Sequence, residues 1–518
     1  MTTSFHQTMK LHLIKSSLAA FTVLSLVSQP LSQTFAQGSL TSPPGAPSAM
    51  MKSLDQIEPR IAISNVAGSG EAMHVIHQRG NYYLTGDIVA TAGKHGIQIN
   101  APDVTIDLNG FTLIGTGEAD RHGITLLNDD GGDGANLSVR NGRIRNWSGA
   151  IQYFSRGAGV LEDLQIENCR YGIHLSEALR VSRCQVMGNG ASRGGIVLNY
   201  GNSFVQDCRV KGLSSTEETY GIHLDRGMVV RCVVTEISGS ALSRGIWIKE
   251  GDSTVSDCSV FYVSTSSTGK AIGIEAAAVR NCTVSLTYGL GNASHAVGIV
   301  GRHVERCSVI NTTGGSSSGS AAGIRAKDSS ALIQQCFVDG SSAAGAFGID
   351  ADTNACSIIN SKVSNISGNG SSSYGIRAKG GAASILGCNV NAVTNSNYAW
   401  GIYVEGGLVE RCNVTEIRNA GIYANGGTSV LNCHVRLAGQ GSDAAGIWAS
   451  STRNRIEGNH VSECDMGIQV NSGSSAVFLR NVCQNNTTNY SVAGAPVAPI
   501  VNAAGAATAT NPLVNLSL

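Results

Sequence analysis

The chain of 518 residues carries 36 acidic and 36 basic side chains, so its net charge is zero, and only 14% of it is charged against a norm of about 25%. Without a basic block it lacks the electrostatic footprint of a nucleic-acid binder, and 42% hydrophobic residues with so little charge exclude disorder. Glycine is abundant at 64 residues and proline scarce at 9, yet the three-residue glycine period of collagen is missing, so another repeat must account for the glycine.

In chain order the first element is an export signal. Lys10 and Lys15 precede the apolar stretch Leu18 to Val27, and the small-residue site Thr34-Phe35-Ala36 follows at signal-peptide spacing. The apolar run is about half the ~20 residues that a spanning helix needs. Residues 1–36 are therefore expected to be a signal peptide. Removing them would place the protein in the periplasm, at the cell surface or outside the cell, with no transmembrane segment left. Residues 37–80, with Ser42-Pro43-Pro44-Gly45-Ala46-Pro47, read as a linker and an N-terminal cap region.

Residues 81–490 are one repeat. A Gly-Ile element, once Gly-Ala-Ile, recurs sixteen times from Gly96 to Gly467 with a mean period near 25. Midway between most of these lies apolar-x-x-Cys-x-Val, as in Val205-Gln-Asp-Cys208-Arg-Val210 and Val409-Glu-Arg-Cys412-Asn-Val414. No 3.6-residue apolar period accompanies them, which disfavours a leucine-rich repeat. Short β-rich runs between Gly, Ser and Asn turns leave an all-β solenoid, each period one coil of three short strands.

The two-residue strand period points the isoleucine and the residue two further on inward. Stacked coils then form ladders of like residues about 4.8 Å apart. The glycine is expected at a tight corner before the strand, where a side chain would clash or φ must be positive. Residues 491–518 form an Ala/Pro-rich C-terminal tail, and a rod of this kind needs capped ends.

Ten of the fourteen cysteines occupy the midway ladder: Cys184, Cys208, Cys232, Cys258, Cys282, Cys307, Cys336, Cys388, Cys412 and Cys433. Aligned positions hold Ser361, Asn459 and Asn481, which describes a small inward slot occupied by unpaired buried thiols. Disulfides are the competing arrangement for an exported chain. In-register Cβ atoms about 4.8 Å apart, however, exceed the ~3.5–4.5 Å that a disulfide prefers. No Cys-x-x-Cys or Cys/His spacing suggests a metal row, and neither metal nor cofactor is expected.

The residue after each ladder isoleucine is expected to face solvent, and function is sought in that column. Tyr403, Tyr423 and Trp448 fall on consecutive rungs, where their faces could form a platform for sugar rings; strand propensity alone would also place aromatics there. Arg325 and Lys327, Asp350 and Asp352, then Arg377 and Lys379 form a three-rung grid of net charge +2. It reads as a cross-strand salt-bridge stripe or as a polyanion-binding or acid–base site, and its cations oppose calcium at the carboxylates. Asp129, Asp130 and Asp133 lie in a Gly-rich loop, and His95 and His122 should stack on adjacent rungs. Two histidines without a third ligand are a poor metal site.

The pattern apolar-x-x-Asn-x-Ile/Val followed by Gly-Ile resembles right-handed parallel β-helix proteins of the pectate-lyase-like superfamily. Met51-Lys52-Ser53-Leu54-Asp55-Gln56-Ile57-Glu58-Pro59-Arg60 and Val104-Thr105-Ile106-Asp107-Leu108-Asn109-Gly110 are similar to the leading segment of bacterial exported right-handed β-helix repeat proteins. The resemblance implies a single-stranded right-handed parallel β-helix of about sixteen coils, and export, but no assigned activity. The site motifs of polygalacturonases and pectate lyases are absent, and fold alone does not give function. The expectation is a non-catalytic exported rod, structural or binding a polysaccharide or glycan. The alternative is a polysaccharide lyase or glycoside hydrolase acting on an acidic polysaccharide at the Arg325 to Lys379 grid.

Overall fold

The computed structural model describes residues 60–126, 136–153, 158–176, 178–439, 444–471, 474–492, 498–506 and 508–518. The expected signal peptide, the Pro-rich linker and the loop bearing Asp129, Asp130 and Asp133 lie outside them. The described chain is almost entirely β. It winds through three parallel sheets, each coil giving one strand to each sheet.

The first sheet is built from the Gly-Ile strands. Its sixteen isoleucines, Ile97 to Ile468, are in register rung after rung, as in Ile196↔Ile222, Ile222↔Ile246 and Ile246↔Ile274, and all are fully buried. Each burial stabilises by roughly 1.5–3 kcal/mol. The residues two further on, among them Leu175, Leu224, Ala351 and Val404, are buried as well.

The ladder glycine is not at a corner. It lies inside the strand, as Gly273 does within Lys270–Glu275, and its φ is not positive. Of the two reasons expected for it, steric clash is the operative one. A Cβ on Gly323 would meet Val338 Cγ1 at 2.2 Å and the Gly348 carbonyl oxygen at 2.8 Å. Strand pairing passes over the glycine, from Phe347↔Tyr374 straight to Ile349↔Ile376. Glycine and isoleucine therefore both point inward, and the residues on either side of the pair both point out.

The second sheet carries the Val-x-x strands and the third follows the cysteine. Between them the chain turns through a left-handed residue placed immediately before the ladder position, as at Arg231 (φ 51), Asp257 (φ 56) and Asn281 (φ 52). That turn aims the next side chain into the core beside the backbone of the neighbouring coil. Where it is Asn, it bonds on both sides: Asn481 Nδ2 donates to the Ile456 carbonyl at 2.9 Å, and the Asn459 amide donates to Asn481 Oδ1 at 3.0 Å. Where it is Cys, the same contacts are weaker: Cys258 Sγ donates to the Val229 carbonyl at 3.7 Å and accepts from the Cys232 amide at 3.4 Å. The column thus requires a small polar group able to donate and accept, which Cys, Ser and Asn share. All fourteen cysteines are free and buried.

The ends are closed by flanking strands. Arg60–Ala62 adds to the second sheet beside Asn81–Tyr83, and Ala72–Ile76 adds to the first. At the far end the tail returns so that Val482 and Cys483 pair with Leu516 and Ser517, and Asn515 extends the Asn column by bonding the Phe478 carbonyl at 3.2 Å.

Candidate functional site

The outer face of the first sheet carries two side-chain columns, because the strand presents outward both the residue before the glycine and the residue after the isoleucine. The second of these was the column expected to be solvent-exposed, and the structure corrects that expectation in part. Asp350 is 3% exposed and His223 6%, and Gln98, Thr125 and Val197 are buried too. Neighbours in the two columns cover one another.

The structure brings the charged grid together as an ion network. Asp350 is clamped between Arg325, 3.2 Å from its Oδ2, and Arg377, 2.7 Å from its Oδ1. Arg377 also reaches Asp352 at 3.4 Å, and its guanidinium lies 4.4 Å over the ring of Phe347. Lys327 is not free within the grid. It pairs at 3.6 Å with Glu275 from two rungs below, a carboxylate that also accepts from Arg244 at 3.1 Å. Adding Glu275 lowers the grid's net charge from +2 to +1. Lys379 makes no ion pair among the described residues and sits 5.7 Å from the Tyr403 ring.

Tyr403, Tyr423 and Trp448 stand in register on consecutive rungs, but they do not turn their faces outward as a platform. Tyr403 and Tyr423 stack on each other at 5.1 Å and 6°, and Trp448 meets Tyr423 edge-on at 5.3 Å and 76°. Stacking along the rod axis consumes the faces and leaves ring edges toward solvent. Burial and a bond from its hydroxyl to Glu405 hold Tyr403 well above the ordinary tyrosine range.

The trio is half of a larger cluster. Phe347, Tyr374 and Trp400, each immediately before a ladder glycine, form a second stack, with Phe347 to Tyr374 at 5.2 Å and Tyr374 to Trp400 at 4.9 Å. Tyr398 stacks on Trp400 at 5.4 Å and is 48% exposed. This second stack meets the first at steep angles, 86° between Tyr374 and Tyr403 and 64° between Trp400 and Tyr423. Sequence reasoning passed over these residues because strict alternation from the inward isoleucine places the residue before the glycine inward as well. The signal was Phe-Gly-Ile, Tyr-Gly-Ile and Trp-Gly-Ile on three successive rungs.

Further toward the N-terminus a smaller group repeats the motif. Trp247 stacks on His223 at 4.2 Å and lies 3.8 Å from the Arg244 guanidinium. Burial pushes His223 down to about 4. His95 and His122 sit on adjacent rungs with rings 5.2 Å apart, and burial with the neighbouring His95 pushes His122 down to about 4 as well. Among the described residues no group of three or more His, Cys, Asp and Glu side chains could hold a metal ion, and no helix is long and apolar enough to cross a membrane.

These observations define a parallel β-solenoid of about sixteen turns. Residues 122–297 match the model of the right-handed β-helix region family. No curated protein matches the chain. Solved structures similar to it include a periplasmic alginate epimerase, 12% identical over 70% of this chain and 77% of that one, with a TM-score of 0.27. A surface adhesin of Streptococcus pneumoniae is 12% identical over 85% and 92%, with a TM-score of 0.21. The Dettilon tailspike is 11% identical over 82% and 62%, with a TM-score of 0.18. Likenesses at this level carry no argument about activity.

Proposed function

We propose that the protein is a non-catalytic, exported β-helix rod that binds a glycan over the aromatic cluster from Phe347 to Trp448, with Lys379 at its edge. The observation that carries this reading is the cluster itself. Seven rings, Phe347, Tyr374, Tyr398, Trp400, Tyr403, Tyr423 and Trp448, lie in mutual contact on the outside of a rod whose turns are Ser, Gly and Asn. Surface aromatic groupings of this kind mark contact sites. Their edges, the exposed Tyr398 and the unpaired ammonium of Lys379 offer apolar contact beside a hydrogen-bond donor, which suits a sugar.

The ion network supports the non-catalytic part of the reading. A general acid or base must reach its substrate, and Asp350 is buried beneath two arginines that engage both its oxygens. Lyase or hydrolase chemistry at Asp350 and Asp352 is therefore disfavoured.

A panel of neutral and uronate glycans tests the proposal. Binding by at least one of them should fall tenfold or more in Trp448→Ala and in Tyr398→Ala, with no product released from any polymer. Release of reducing sugar or unsaturated product, abolished by Asp350→Asn, would establish the hydrolase or lyase instead.

A further inference from the structure

Structural zinc requires four ligands at tetrahedral corners, and the thiol column supplies no such set. A linear, two-coordinate cation requires only two sulfurs facing each other. Seven cysteines, Cys184 to Cys336, stand on consecutive rungs, and three more, Cys388 to Cys433, follow after Ser361. Each thiol lies at the same place against the preceding coil, Cys208 Sγ 3.8 Å from the Val181 carbonyl oxygen and Cys258 Sγ 3.7 Å from that of Val229, so the sulfurs repeat with the rungs. Rungs repeat at about 4.8 Å, and two metal–thiolate bonds of about 2.3 Å laid end to end span about 4.6 Å. The column is thus too widely spaced for disulfides and of the right spacing for a cation held between successive sulfurs.

Three further features favour such a site. Thiolate ligands select soft ions, Cu(I) foremost among first-row metals. The backbone amide of Cys232 already points at Cys258 Sγ from 3.4 Å, and this bond would strengthen once the sulfur is anionic. Apolar ladders such as Val205 to Val279 flank the column and are fully buried, which keeps water and oxidants away from a bound ion.

We propose that the thiol ladder is a binding site for soft monovalent cations of the Cu(I) type, each held linearly by two cysteines on adjacent rungs. On binding, two S–H bonds break and two metal–sulfur bonds form. Two protons leave to solvent, no electron is transferred, and the pair carries one net negative charge. Each sulfur used once faces one cation, so alternate gaps fill. The run of seven takes three ions and the run of three takes one. Because the thiols are buried, loading accompanies folding.

The reduced full-length chain, refolded anaerobically with Cu(I) or with Ag(I), desalted against a competing chelator and weighed by native mass spectrometry, should retain about four ions. Zn(II) should not be retained. Replacing Cys208, Cys258 and Cys307 together by Ser leaves no adjacent pair in the long run and should reduce retention to one ion. The column accommodates Ser, since Ser361 occupies it and accepts the Cys336 amide at 3.2 Å. Should the triple variant not fold, Cys412→Ser alone should remove one ion, while Cys356→Ser, off the ladder, should remove none. Retention of no ion by the refolded parent, or of the parent number by the ladder variants, overturns the proposal.

Discussion

Replacing Asp350 by Ala would separate an ion network that holds the rod's face together from a catalytic carboxylate. Its carboxylate is 5% exposed, whereas Arg325 and Arg377 are 29% and 17% exposed. Removing one partner of a fully buried pair costs about 3–5 kcal/mol, because the remaining charge is left uncompensated. Here two guanidiniums would be left facing each other across one vacated rung, but both can partly rehydrate. We therefore expect a loss of about 2–4 kcal/mol. The loss should appear as a lower denaturant midpoint and as faster amide exchange confined to the rungs of Ile324, Ile349 and Ile376, since a solenoid couples chiefly to its nearest coils. Asp352→Ala, whose carboxylate is 58% exposed, should cost under about 1 kcal/mol. Equal, negligible effects of the two substitutions would show that Asp350 does not clamp the face and would refute the reasoning.

Three other outcomes follow from the same geometry. Gly323→Ala drives a methyl to within 2.2 Å of Val338 and 2.8 Å of backbone and should destabilise by about 3 kcal/mol or more; Gly86→Ala, with open space around it, should be near neutral, and equal denaturant midpoints would count against the clash. Burial depresses His122 and His223 to about 4 in the folded state, against about 6.5 unfolded. Their contribution is thus fully present above pH 6.5 and is lost as pH falls toward 4, by up to about 3 kcal/mol each. Denaturation midpoints between pH 8 and 4 should show this loss, and His122→Gln with His223→Gln should flatten it. A thiol reagent should find close to none of the cysteines in the native protein and all fourteen after denaturation under nonreducing conditions; few in the denatured state would mean disulfides.

The coil could be read from the sequence because each of its determinants is local and repeated. Gly-Ile at a 25-residue period fixes one inward strand, and Val-x-x-Cys-x-Val fixes a second strand, a turn and a third. Ladders of identical side chains can stack only in one register. The aromatic trio and the charged grid were legible for the same reason, since rung position follows from counting.

What counting could not reach was anything decided by two residues on different rungs, or by the bend of the strand itself. The glycine's task emerged only when its missing Cβ was set against Val338 and the next coil's carbonyl. The bend there turned Phe347, Tyr374 and Trp400 outward, where strict alternation hid them. Glu275 reaches Lys327 across two coils, a pairing with no trace in either repeat. Ring faces that strand position alone would offer to a ligand are spent on one another, because stacking at the rung spacing satisfies them first. Sequence periodicity by itself therefore determined the solenoid, its buried ladders and the rungs on which charge and aromatic residues fall. Tertiary structure alone decided which of those groups satisfy one another and which, chiefly Lys379, Tyr398 and the ring edges, are left toward solvent, because that depends on distances between coils that no single repeat contains.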